Sequence, residues 1–173
     1  MTAEDAVRTR RAIRDFAERP LAEEHLAPIL RAGRRAGSSK NLQRWAFIVV
    51  RDRQRLRELA AVGPWAGHLA GAAAAVALVT LDPRGPNQPL SVMFDLGQAA
   101  GNMMLVAWEL GIGSVPATVY DQELARRILG HPQDHHCEYI LSFGHPADPA
   151  ALKAPLRPGG RRPLEEIVHE ERW

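Results

Sequence analysis

Residues 91–110 constrain this chain more than any other stretch. Leu96, Ala99, Ala100, Met103, Met104, Ala107 and Leu110 recur there at three- and four-residue spacing, which predicts a long helix. Apolar residues cover most of its girth, so the helix belongs at the centre of the structure. Gly97, Ala99, Ala100 and Gly101 crowd its middle and let another backbone approach closely. Gly111 and Gly113 end it.

The other elements arrange themselves around that helix. Residues 46–50 form a wholly apolar run of strand length and predict a buried strand. Residues 74–81, 113–119 and 138–143 are the further strand candidates. Helices are predicted over residues 3–13, with Thr2 as N-cap and Asp5 in the first turn, and over 22–36, with Leu26, Ile29 and Leu30 on one face and Gly33 or Gly37 near its end. Two more fall at 54–61 and 121–129, the latter capped by Asp121. Residues 37–41 read as a loop, and 83–89, with three prolines and a glycine, as a connection too short for an inserted lid. The tail, 159–173, is polar but carries Leu164, Ile167, Val168 and Trp173, which would stay wet in a monomer and are better laid on a partner subunit. No internal repeat or long linker interrupts the chain, and 173 residues fit a single domain.

Composition narrows the partners. The net charge is only +2, and the only lysines are Lys40 and Lys153, so the cations are almost all arginine, whose planar fork suits phosphate and carboxylate. Without a long basic run, nucleic acid is disfavoured. Cys137 is the single cysteine, which rules out an intrachain disulfide and favours a reducing cytoplasm. The N-terminus is polar and the apolar run 71–81 is too short to span a bilayer, so a soluble, cytoplasmic protein with no membrane partner is expected.

Four groups could carry chemistry. Arg8, Arg10, Arg11 and Arg14 fall within seven residues and form either a phosphate site or a solvated basic face. The segment from Gly37 to Trp45 offers the hydroxyls of Ser38 and Ser39 and the carboxamides of Asn41 and Gln43, able to meet a heteroaromatic edge or simply to form a polar loop. Gly111-Ile112-Gly113-Ser114 lacks a third glycine and runs from helix to strand, so it is a tight connection and not a dinucleotide fingerprint. Arg161 and Arg162 either add phosphate contacts or keep the tail soluble. His131, His135, His136, Cys137 and His145 cluster in sequence, but their spacing matches no zinc site and no metal is expected. Cys137 should pack in a strand; Trp45, Trp65, Trp108 and Trp173 read as core and interface fillers, with His68 or Trp65 a candidate to line a pocket.

Taken in order, these segments resemble the nitroreductase-like flavoprotein family. Arg10-Arg11-Ala12-Ile13-Arg14-Asp15-Phe16 is similar to its opening R-R-S-x-R-x-F, and Gly37 through Trp45 with Phe47 to its P-S-S-x-N-x-Q-P-W-x-F. Asp95-Leu96-Gly97 through Asn102, with Leu110-Gly111-Ile112-Gly113-Ser114, resembles its central helix and following turn, and Arg161 through His169 its C-terminal signature. The resemblance implies an α+β fold with a central mixed or antiparallel sheet wrapped by helices. It also implies an intertwined homodimer, whose tail reaches the partner, and FMN at the subunit interface.

Carried over by residue, Arg10, Arg11 and Arg14 hold the FMN phosphate and ring edge, with Ala12 giving backbone. Arg161 and Arg162 add to the phosphate site. Ser38, Ser39 and Asn41, with the Gly37 backbone, reach the flavin of the opposite subunit, and Pro116, Ala117 and Thr118 lie along its ring. Three departures bear on affinity and substrate choice: Ala12 for the family's serine, Gly37 for its first proline and Arg44 for the proline of Q-P-W. The implied activity is transfer of electrons from NADH or NADPH, through FMN and by ping-pong kinetics, to small electron-poor acceptors such as nitro compounds or quinones. FMN carries the chemistry and no protein residue is assigned as catalytic. The alternatives are a flavin-sequestering protein without turnover, or a related enzyme of flavin destruction or dehalogenation.

Overall fold

The computed structural model describes residues 1–85, 89–155 and 160–173; residues 86–88 of the proline-rich connection and Gly159 at the start of the tail lie outside them. Helix α1 spans Ala3–Thr9, α2 Glu23–Arg34, α3 Arg53–Leu59, α4 Ser91–Glu109 and α5 Gln122–Leu129; strands β1 to β4 span Trp45–Val50, Ala74–Leu81, Gly113–Thr118 and His135–Gly144. The strands form one sheet in the order β1-β2-β4-β3, antiparallel throughout. One parallel contact is added at its margin, where Ala12 bridges Ser114.

Strand β2 shows how the sheet is held. Ala74, Val76 and Leu78 face a core shared with Leu26, Ile29, Leu96, Met103 and Phe143. Ala75, Ala77 and Val79 face a second core, with Leu56, Leu59, Leu69, Ala125 and Ile140. Alternate side chains therefore enter opposite layers, α2 and α4 on one side and α3 and α5 on the other. The small residues of β2 let both helix layers close on it. Helix α4 packs centrally, as its periodicity requires, with Leu96, Ala99, Met103, Ala107 and Trp108 buried.

The local signals act where expected. Thr2 and Asp5 form a reciprocal capping box on α1. Asp121 accepts the Leu124 N–H at 2.8 Å to start α5. Two expectations are corrected. Helix α1 stops at Thr9, not at residue 13, because the chain beyond it is drawn out along the sheet: Ile13 N–H donates to Ser114 C=O at 3.2 Å and Ala17 N–H to His145 C=O at 2.8 Å. Tertiary pairing overrides helical propensity there. Strand β1 is not buried. It lies at the sheet edge, with Ala46 and Val49 exposed and Trp45, Phe47 and Ile48 only half-buried. A wholly apolar run was compatible with burial on both faces, but among the described residues no strand pairs with its outer edge.

Among the described residues no helix is long and apolar enough to cross a membrane. From residue 160 to the end every residue is exposed, Leu164 to 71% and Trp173 fully.

Candidate functional site

The segment that leaves α1 sets the site. Gly113 and Gly144 pair across β3 and β4. A Cβ on Gly113 would stand 2.7 Å from Ile13 and one on Gly144 2.8 Å from Phe16, so only glycines let these two side chains seat on the sheet. Gly111, at φ 72°, makes the left-handed turn that delivers the chain from α4 to β3. Arg14, between Ile13 and Phe16 in sequence, is exposed on the far side.

Opposite runs the loop after α3. Tyr120 and Asp121 N–H groups both donate to Val62 C=O, at 2.8 and 2.9 Å, and a Cβ on Gly63 would meet Thr118 O at 2.6 Å. That loop leads into a single 3-10 turn, Gly67–Gly71. A cavity of about 620 Å³ opens between the two segments, lined by Arg14, Asp15, Phe16, Trp65, His68 and Gly71 among others. Its size is that of small-molecule sites, about 300–1,000 Å³. A hollow of about 660 Å³ nearby, lined by residues 61–64 and 120–123, offers no cation and is more open. Charge chemistry favours the first.

Arg14 brings positive charge to this cavity and makes no ion pair among the described residues. Trp65 presents its indole 79% exposed. His68 places Nδ1 2.9 Å from the Ser142 hydroxyl, while its Nε2 is shut from water and has no partner among the described residues. Burial, and then the Arg14 guanidinium, push the His68 imidazole below its ordinary range, so it is neutral at pH 7.

The remaining sequence-derived residues fall into three places. Arg10 and Arg11 turn toward α4. Arg10 Nη1 lies 3.9 Å from Met104 Sδ, and Arg11 sits 6.0 Å from the Trp108 ring centroid. Arg11 also donates to the carbonyls of Thr9 and Ala154, so most of its fork is engaged in tying segments together. Pro116, Ala117 and Thr118 lie on the edge strand β3, with Pro116 exposed and lacking an N–H to offer, and are not among the residues that line the Arg14 cavity. Ala12 contributes main-chain pairing to Ser114, a role that the missing serine hydroxyl does not disturb.

The loop with Gly37, Ser38, Ser39 and Asn41 lies elsewhere on the chain and does not line the Arg14 cavity. It borders its own hollow of about 330 Å³ with Lys40, Arg44 and Asp95. Asp95, buried on α4, accepts the Ser39 N–H at 3.1 Å, and Ser38 Oγ accepts the Gln43 N–H at 3.0 Å. Lys40, Asn41 and Gln43 adopt φ of 51°, 54° and 49°. Such left-handed residues cost roughly 1–3 kcal/mol each and mark a loop held in one shape for a purpose. Arg161 and Arg162 are exposed, and among the described residues Arg161 donates to its neighbour Gly160 C=O, at 2.9 Å. A single chain therefore does not assemble all three groups around one cavity.

Sequence reasoning missed the anchoring role of Asp95 and the partnership of His68 with Ser142. An acidic residue inside an otherwise apolar helix was the available signal for the first; the second joins residues 74 positions apart and left none. Cys137 is buried as expected, its thiol pushed up to about 12 by burial. Among the described residues no three His, Cys, Asp or Glu side chains converge on a metal-sized site.

Comparison with known proteins finds relatives of one family. The sequence profile of the nitroreductase family matches residues 7–67 and 64–145. A protein of Archaeoglobus fulgidus, provisionally named as an NADH dehydrogenase/NAD(P)H nitroreductase, is 34% identical over 170 residues, covering 95% of each chain. The FMN reductase [NAD(P)H] of Bacillus subtilis is 30% identical over 190 residues, covering 94% of this chain and 71% of its own. Among solved structures, nitroreductase A from Vibrio parahaemolyticus superposes with a TM-score of 0.86 at 26% identity, over 100% of this chain and 77% of that one.

Proposed function

Because this chain belongs to the nitroreductase family, we propose that it is an FMN-dependent oxidoreductase that takes electrons from NADH or NADPH and reduces small electron-poor acceptors, nitro compounds or quinones among them. The observation that carries this reading is the cavity lined by the Arg14 cation, the exposed Trp65 ring and the half-buried His68 imidazole. These groups fit a flavin. A flat heteroaromatic ring with polar atoms along one edge can use an indole face, a guanidinium fork and a nitrogen shielded from water.

Arg14 is proposed to meet the ring edge and Arg10, with Arg11, the phosphate. Arg161 and Arg162 complete the phosphate site, and Pro116, Ala117 and Thr118 flank the ring. Ser38, Ser39, Asn41 and the Gly37 backbone are proposed to reach the cofactor of a second subunit, since their own cavity is separate. Support for a homodimer comes from what the chain leaves uncovered. Phe94 on α4 is 71% exposed, Gly97 and Gly101 have nothing within 4 Å of an added Cβ, and the apolar edge of β1 and the side chains of the tail face outward. Apolar surface so distributed marks an interface. The tail of one subunit is proposed to lie on the other.

Bound FMN supplies the two-electron chemistry, and the protein supplies binding, orientation and electrostatics. Arg14 places fixed positive charge where negative charge develops, as an oxyanion site does. Asp95 holds Ser39 and so fixes the loop that completes the neighbouring site. Donor and acceptor use the same open cavity in turn, so ping-pong kinetics are expected. The test compares FMN with riboflavin by equilibrium dialysis. Arginine recognition of a phosphate requires FMN to bind at least tenfold tighter, and equal affinities would refute the phosphate site.

A further inference from the structure

His68 and the buried Ser142 hydroxyl share a short hydrogen-bond chain that ends on the Val115 carbonyl. Ser142, fully buried on β4, has a single hydroxyl hydrogen and donates it to Val115 C=O at 3.2 Å. With the hydroxyl hydrogen on Val115, the 2.9 Å contact between Ser142 Oγ and His68 Nδ1 uses the imidazole N–H as donor. In the neutral ring that leaves Nε2 as a bare lone pair, buried and unpartnered, on a residue that lines the Arg14 cavity. A buried acceptor left unsatisfied costs about 1–3 kcal/mol, so the position calls for a proton or a donor. Among the described residues that line the cavity, the charged groups are Arg14 and Asp15, both from the segment after α1, and β4 contributes the Ser142 hydroxyl to the His68 ring.

We infer that His68 takes up a proton at Nε2 when the flavin beside it is reduced, standing neutral next to the oxidised ring and becoming an imidazolium next to the reduced one. The inference rests on the reading that FMN occupies this cavity. The nicotinamide donor gives up a hydride, two electrons and one proton, its C–H bond breaking as an N–H bond forms on the ring, so the ring gains one negative charge. One proton leaves the solvent and forms the Nε2–H bond, and no bond of the protein breaks. Negative charge added to the ring favours the imidazolium, offsetting the burial and the Arg14 repulsion that keep the free imidazole neutral. The Nδ1–H bond to Ser142 persists in both states, so the ring need not move.

The test is a redox titration of the FMN-loaded full chain between about pH 5 and pH 8, the span in which histidine titrates, with the absorption spectrum of the reduced flavin recorded at each pH. Wild-type protein should bind one more proton per reduced flavin than His68→Gln, while the spectrum stays that of the anionic reduced form. Ser142→Ala, which removes the acceptor for Nδ1–H, should move the break in the potential-against-pH curve to lower pH, and decides the matter if His68→Gln does not hold FMN. Equal proton uptake in wild type and His68→Gln, an unmoved break in Ser142→Ala, or a spectrum that turns to the neutral reduced form as the extra proton binds would each overturn the inference alone. Wild-type protein that binds no FMN would overturn the reading of the cavity, and this inference with it.

Discussion

Gly113 and Ile13 approach so closely that a Cβ on the glycine would lie 2.7 Å from the Cβ of the isoleucine. This contact, repeated by Phe16 over Gly144, presses the arginine-bearing segment onto the end of the sheet and leaves Arg14 facing the cavity. Two motifs that are a hundred residues apart in sequence are thus one structural device.

Gly113→Ala should therefore destabilise the fold by about 1–3 kcal/mol, the usual cost of overpacking, and weaken FMN binding by shifting Arg14. Urea denaturation and FMN titration measure the two effects. A variant with unchanged stability would show that the segment does not depend on this contact.

Arg14→Ala removes the cation of the cavity while leaving Ile13 and Phe16 in place. FMN affinity should fall roughly 10- to 100-fold, the scale of one or two charge-assisted hydrogen bonds, with the thermal midpoint of the apoprotein nearly unchanged. Arg14→Lys should recover part of the loss, since it keeps the charge but not the fork. Full FMN binding by the alanine variant would remove Arg14 from the site.

Gly97→Leu separates subunit association from folding. An added Cβ there meets nothing within 4 Å among the described residues, and leucine is the better helix former. The variant should fold, with helical content intact by circular dichroism, yet sediment as a monomer, against the dimer proposed for the wild type. A Gly97→Leu protein as dimeric as the wild type would place the interface elsewhere.

Cys137 should resist thiol reagents at pH 8 in the native protein and react at once after denaturation. Its thiol ionises only near 12 in the folded state against 9.0 for an ordinary cysteine. The folded chain therefore holds a proton that the unfolded chain gives up, and stability present below pH 9.0 is lost as pH rises toward 12. Fast native-state labelling would contradict the burial.

The parts of the structure that repeat locally were legible in the sequence. The spacing of Leu96, Ala99, Met103 and Ala107 located the central helix, and Thr2 and Asp121 marked helix starts that their side chains do cap. What depends on distant partners was not. Residues 10–13 have helical propensity, yet pairing with Ser114 draws them out straight. The apolar run of β1 does not say whether its cover comes from its own chain or from another. The candidate site divides likewise: the arginines were visible as a cluster, but only the fold separates Arg14, in the cavity, from Arg10 and Arg11, turned toward α4. His68 finds Ser142 through topology alone.

The most direct measurement is an anaerobic titration of the purified chain, soaked in FMN and freed of excess, with NADH and then NADPH while the visible absorbance is followed. A flavin oxidoreductase built on the Arg14 cavity should emerge yellow, and at least one nicotinamide should bleach it promptly, with colour returning when a quinone is added. A preparation that stays colourless after soaking, or a bound flavin that neither nicotinamide bleaches, would contradict it.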